Sequence, residues 1–411
     1  MKTEQAHNNK EQWKKMRFDQ FFDMLPTNTL SRDKLNNQRG EYQNIHYGDV
    51  LIKYPYCLDC NVNDIPYINE GVRFNTTQVK NGDVIFADTA EDDTVGKCVE
   101  VLNVGDRKIV SGLHTYFCRP KHEMAPGYLG YFLNSNHFHN QLLPYIAGSK
   151  VSSVNRTSIA RTFIFYPESL PAQRHIAAIL SSADKVIAST QKVIAKYKQM
   201  KQGMMEDLLK PKEGWKMVKL GECLKQKPDY GINAPAVPYD NNLPTYLRIT
   251  DITEDGYYSK KDIVSVSSQD ALKYVMDEGD LVFARTGAST GKTYLYNPQD
   301  GMLVFAGFLI RVRTDENKLL PEFFKYQTQT PQYKNWIAAN SMRTGQPGIN
   351  GNEYEEFSVP IPYKNDKPDL VEQHRIAAIL SGIDAKIAAE EKVLEKYEKV
   401  KKGLMEKLLN E

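Results

Sequence analysis

Two stretches of the chain place apolar side chains at alternating steps of four and three, the spacing of a coiled-coil seam. Ile176, Leu180, Ala183, Ile187, Ile194, Tyr197, Met204 and Leu208 share one helical face. Ile376, Leu380, Ile383, Ile387, Leu394, Tyr397, Leu404 and Leu408 share another. Each stretch predicts a helix about 55 Å long. Pro171 precedes the first and IPYKNDKPDL precedes the second, both helix-start signals. Polar residues interrupt the seam at Thr190 and Lys201, and at the matching Glu390 and Lys401. At such positions they lower stability but fix register and partner.

The two stretches are copies of one another. Residues 173–209 and 373–409 align without a gap at an offset of 200, with 20 of 37 positions identical. The repeat reaches further. Trp13-Lys14-Lys15-Met16-Arg17-Phe18 parallels Trp215-Lys216-Met217-Val218-Lys219-Leu220. Asn81-Gly82-Asp83 followed by Val-Ile-Phe-Ala parallels Glu278-Gly279-Asp280 followed by Leu-Val-Phe-Ala, each a turn and a short apolar strand. Gly96-Lys97 and Gly291-Lys292 follow at similar distances, and the segments at Tyr128 and Pro321 each open a short helix. The scaffold repeats while the loops diverge. This predicts an α+β chain of two tandem mixed α/β domains, residues 1–170 and 211–365, each followed by a long helix, 171–210 and 366–411.

Composition narrows the function little. The net charge of +2 is a weak signal for nucleic acid, so DNA binding would rest on local clusters or on charge supplied by partners. The longest apolar candidate, around Leu303–Ile310, is too short to span a bilayer. The polar opening MKTEQAHNNKEQWKK has no apolar centre and does not read as a secretory signal, which leads us to expect a cytoplasmic protein. Cys57 and Cys60 have the spacing of half a zinc site, but no second pair follows; ordinary packing is expected, with no metal. His137 and His139 likewise lack further ligands nearby.

The two QxxIAxIL…Y…G…LL helices, the GWKMVKLGE opening at 214–222 and GDLVFARTGASTGK at 279–292, in this order, resemble the specificity subunit of type I restriction-modification enzymes. The resemblance covers essentially the whole chain. The first domain departs from it, with ADTAEDDTVGK where the second has ARTGASTGK. The resemblance implies two target recognition domains, each reading one half of an interrupted double-stranded DNA site. It implies that the helices pack as an antiparallel coiled coil and act as a spacer, with Ile176, Leu180, Ile187, Tyr197, Ile376, Leu380, Ile387 and Tyr397 in the packing face. Expected partners are two methyltransferase subunits and two restriction subunits. S-adenosylmethionine, ATP and Mg would reside in those partners, leaving no cofactor and no active site in this chain. A spacer of about 55 Å would set the domains roughly one DNA turn apart.

The segment Gly287-Ala-Ser-Thr-Gly291-Lys292 ends like a phosphate-binding loop. Three residues separate its glycines, however, where that loop has four, and it leads into the strand-like TYLYNP rather than a helix. It reads instead as a turn bringing Arg285, Ser289 and Lys292 to a DNA backbone or base edge; Lys97 stands at the matching place in the first domain. A second polar loop offers Arg343, Gln346 and Asn350, matched by Ser149, Lys150, Asn155 and Arg156. Arginine reads guanine bidentately, and Asn and Gln read adenine. The plain alternative for each loop is a solvated connection. Arg32, Lys34, Arg39, Tyr230 and Asn233 lie in further polar stretches open to the same two readings.

No tetrapeptide for amino-methyl transfer is present, and Asp49-Val-Leu-Ile-Lys53 reads as a surface Asp and Lys around a buried apolar triplet rather than a nuclease strand. Two readings compete with DNA specificity: a coiled-coil adaptor whose domains bind protein, and an enzyme with an unfamiliar site.

Overall fold

The structure, a computed structural model, describes residues 12–92, 94–148, 151–343 and 345–410. The candidates Ser149 and Lys150 lie outside these residues. The chain divides into two compact units, Met1–Gln191 with Lys392–Glu411, and Lys192–Glu391. The division cuts both long helices, because each unit takes the opening of the helix that follows its own domain and the closing part of the other.

In the first unit, Trp13–Arg17 pairs antiparallel with Phe163–Pro167, so the domain's two ends meet beside the start of the long helix. A five-stranded sheet runs in the order Phe22–Leu25, Thr115–Pro120, Val84–Ala87, Cys98–Leu102, Cys57–Asp59. Its middle strand, Val84–Ala87, is buried along its whole length, as its unbroken apolar run requires. A smaller sheet contains the parallel pair Lys108–Ser111 and Tyr42–Ile45. Phe18, Phe22, Phe86, Phe132 and Phe138 form the aromatic centre of the core.

The second unit repeats this plan. Trp215–Lys219 pairs with Ser358–Lys364, and Asp280–Ala284 is the fully buried strand between Leu309–Arg313 and Thr293–Leu295. Leu303–Phe305 runs parallel to Thr245–Leu247.

The long helices span Leu170–Leu208 and Leu370–Leu408, 39 residues and about 58 Å each. Pro171 lies in the first turn, where a missing N–H costs nothing. Both helices are anchored at their starts by a buried glutamine of the repeated motif. Gln173 accepts from Ala125 N at 2.9 Å and donates to Pro167 O at 2.8 Å. Gln373 accepts from Leu320 N at 2.9 Å and donates to Lys318 O at 3.0 Å.

Within each unit the early turns of one helix pack on the late turns of the other, which makes the pairing antiparallel. Ile176 and Leu180 share a core with Leu404, Leu408 and Leu409; Ile376 and Leu380 share one with Met204, Leu208 and Leu209. Ile387 is buried, Ile187 and Tyr197 are half-buried, and Tyr397 is 41% exposed. A tyrosine on a seam can cover apolar surface with its ring while its hydroxyl stays in water.

The two lysines that interrupt the seam are buried and paired. In the second unit Lys201 Nζ lies 2.8 Å from Asp384, which also accepts from the Tyr326 hydroxyl at 2.7 Å. In the first, Lys401 pairs with Asp184, which accepts from Tyr131 at 2.7 Å, and its Nζ stands 3.7 Å over the Tyr56 ring.

One sequence reading is corrected. Tyr47–Ile52 is a helix, so its apolar triplet does not share one face. Val50 is buried, Ile52 is 89% exposed, and Asp49 is itself buried, holding Arg32 at 2.6 Å. Cys57 and Cys60 are free thiols, and burial pushes Cys60 up to about 11. Among the described residues no helix is long and apolar enough to cross a membrane.

Candidate functional site

The diverging loops meet at one node in each domain. In the second, Ala284 ends the buried strand. Its N–H donates to Lys292 O at 2.8 Å and its carbonyl accepts from Gly291 N at 2.9 Å, closing the glycine-rich turn. The next residue, Arg285, donates its N–H to Phe308 O at 3.0 Å and accepts at its carbonyl from Ile349 N at 2.9 Å. The loop carrying Arg343 and Gln346 is thereby clamped onto the loop carrying Arg285 and Ser289. Gly348 sits where any Cβ would stand 3.2 Å from Arg285 O, and Gly287 takes φ 71°, the left-handed region open to glycine.

The first domain makes the same four bonds. Ala87 N donates to Lys97 O at 2.8 Å, and Gly96 N donates to Ala87 O at 2.9 Å. Asp88 N donates to His114 O at 3.2 Å, and Val154 N donates to Asp88 O at 3.0 Å. One backbone frame therefore carries two sets of side chains. Arg285 and Phe308 occupy it in the second domain, and Asp88 and His114 in the first.

The side chains named from sequence fall into groups. Asn155 and Asn350 cap short helices, accepting from Ser158 N at 2.9 Å and Glu353 N at 3.0 Å; Glu353 completes a capping box with Asn350. Arg343 pairs with Glu353, and Lys292 with Glu254 at 2.7 Å. Arg156 donates to Met24 O at 2.9 Å. Lys97 donates to Leu51 O at 2.6 Å, and its burial holds its ammonium below the usual lysine range. Ser289 ends the turn Gly287–Ser289, and Gln346 is exposed.

Arg285 stands apart from these. Its guanidinium carbon lies 4.9 Å from the ring centre of Tyr230, whose hydroxyl accepts from Gly351 N at 3.0 Å. No carboxylate pairs with Arg285 among the described residues. Asp88, by contrast, faces His114 Nδ1 at 3.3 Å and accepts from the Thr89 hydroxyl at 2.8 Å. Of the five weaker candidates, Arg32 is tied to Asp49 and Lys34 to Asp33 at 3.0 Å. Tyr230 supports Arg285. Phe308, 59% exposed in the turn beside Arg285, carried no signal in the apolar pattern of the chain.

Comparison with known proteins places this frame. The chain is 30% identical over 163 residues to a Methanocaldococcus jannaschii protein provisionally named the specificity subunit of the type I restriction enzyme MjaX; the match spans 38% of this chain and 35% of that one. It is 23% identical over 279 residues to the StySPI specificity subunit of Salmonella potsdam, across 62% of this chain and 59% of the relative. It is 24% identical over 382 residues to the MjaVIII specificity subunit of M. jannaschii, across 87% and 85%. The first two matches thus span less than two thirds of those relatives.

Among solved structures, the S subunit of a type I restriction-modification system from M. genitalium superposes with a TM-score of 0.60 at 14% identity, covering 100% of both chains. A chain from a structure of a type I system in assembly and conformational transition gives 0.54 at 18%, covering 97% of each. At these identities the likeness is one of fold. Residues 10–199 and 208–399 each match the type I restriction modification DNA specificity domain, and the chain belongs to that family, carrying two copies in tandem.

Proposed function

We propose that this chain is the specificity subunit of a type I restriction-modification complex, reading a bipartite DNA site and directing adenine methylation or cleavage by partner subunits. The observation that carries the proposal is the duplicated node, one backbone frame in two domains bearing different side chains. Two similar domains related by a repeat read two half-sites from one chain as a dimer would, and the differing side chains allow the half-sites to differ.

On this reading Lys and Arg contacts to phosphate position each domain, while loop side chains read base edges in the major groove. The target adenines are flipped into methyltransferase partners. Two methyltransferase subunits supply S-adenosylmethionine chemistry and two restriction subunits supply ATP-driven cleavage with Mg. This chain contributes recognition and no catalytic group. Its net charge of +2 fits that division, since partners then furnish much of the phosphate attraction.

The test is genome-wide adenine methylation, by long-read sequencing, in cells carrying this chain with its neighbouring methyltransferase and in cells lacking it. The expected result is an interrupted two-part motif that depends on the chain. A stable complex with no such motif would favour the protein-binding adaptor.

A further inference from the structure

Resting on the DNA-specificity reading, we infer that Arg285 is the guanine-reading residue of the second domain and that Tyr230 positions it. A base reader must be free, rigidly mounted and of fixed hydrogen-bonding sense. Of the candidates in this domain, Lys292 is engaged by Glu254, Arg343 by Glu353, and Asn350 caps a helix. Among the described residues Arg285 has no such partner. It follows directly on the buried strand Asp280–Ala284, and both its backbone groups are hydrogen-bonded, to Phe308 and Ile349. A side chain launched from a strand end is held more closely than one in the middle of a loop, which is where Gln346 lies.

Tyr230 supplies the orientation. Its ring lies 4.9 Å from the guanidinium carbon and is itself fixed by the bond from Gly351 N. Stacking on an aromatic face leaves the edge of the guanidinium free, and less freedom is lost when that edge binds a base. Five donors in a planar fork match the O6 and N7 acceptors of guanine in the major groove.

The first domain strengthens the assignment. At the identical place in its frame stands Asp88, which has only acceptors when ionised. A carboxylate takes the amino group of cytosine and cannot take guanine O6 and N7. One scaffold position thus carries opposite hydrogen-bonding senses in the two domains, as expected where a family varies its target.

The test compares adenine methylation motifs from cells carrying wild-type chain, Arg285→Ala, Arg285→Lys, Tyr230→Phe or Tyr230→Ala, each with the partner methyltransferase. Arg285→Ala is expected to relax one guanine of one half-site, losing about ten- to a hundredfold discrimination there, with every other position and the gap unchanged. Arg285→Lys, which keeps the charge but loses the planar fork and its stacking, should relax the same guanine by less. Tyr230→Ala should relax the same guanine, and Tyr230→Phe, which keeps the ring but loses the bond from Gly351 N, should relax it less. Competition binding of the purified complex on oligonucleotides altered at that base gives the same comparison if a variant methylates too slowly to score.

If Arg285→Lys keeps the wild-type motif while Arg285→Ala weakens all sites equally, Arg285 is a phosphate contact and the inference is overturned. An unchanged motif with Arg285→Ala overturns it as well. If the wild-type chain directs no two-part motif, the DNA-specificity reading itself falls and this inference goes with it.

Discussion

Glu100 is buried in the first domain, where its two carboxylate oxygens accept from Gly127 N at 2.8 Å and Gly130 N at 2.9 Å. The strand registers place Leu295 at the equivalent position of the second domain. Burial outweighs those donors and pushes the carboxyl up to about 7. A folded-state pKa above the unfolded one means that stability is fully present below the unfolded value and is lost as pH rises through the folded value. We predict that the first unit loses about 3 kcal/mol of stability between pH 4.5 and pH 8 through this group. Denaturant unfolding across that range should show the loss, and Glu100→Gln should remove this pH-dependent part whatever it does to the absolute stability. An identical pH profile in the variant would mean that Glu100 is not the titrating group. The sequence offers no hint of this residue, because an acid inside an apolar strand is explained only by the backbone N–H groups that fold against it.

The long helices were the most legible elements, since a heptad seam is a local pattern that survives without tertiary information. What the seam could not disclose was the partner of each polar interruption. Asp184 and Asp384 lie beside the seam and read as surface residues until the chain folds back. Burial alone would raise Asp384, but the bond from Lys201 and its charge, with the hydroxyls of Tyr326 and Tyr257, hold it below the usual carboxylate range. Its contribution to stability is therefore present above the unfolded pKa and lost as pH falls through the folded one. Replacing Lys201 by Met should destabilise the second unit by about 3–5 kcal/mol at neutral pH, because it leaves a buried charge uncompensated. Lys201→Met with Asp384→Leu should recover most of that loss, and thermal unfolding of the four proteins of the cycle measures it. A single variant as stable as the wild type would show the pair to be solvated. The loops were legible in a different degree. ADTAEDDTVGK and ARTGASTGK occupy matching places in the sequence, but only the folded backbone sets Asp88 opposite Arg285 and bonds the second loop to that same residue.

At the scale of the whole chain, the repeat makes a prediction that no single element makes. Each unit contains its own helix–helix packing, so residues 191–192 and 391–392 mark places where length can be added while leaving both sets of contacts in register. A heptad keeps the seam facing its partner. Inserting one at both places lengthens the pair by about 10 Å, roughly three base pairs of duplex. If the helices are the spacer, the methylated motif should keep both half-sites and gain about three base pairs in its gap. Three base pairs also turn the duplex by about a third of a turn, which the protein does not match, so methylation should be slower than in the wild type. Three paired heptads add about 32 Å, close to one full DNA turn, and should restore the phase and much of the rate. Recovery with three heptads but not one would show that both the length and the facing of the domains are set by the helix pair. A gap unchanged in an active complex would show that the distance between half-sites is fixed elsewhere.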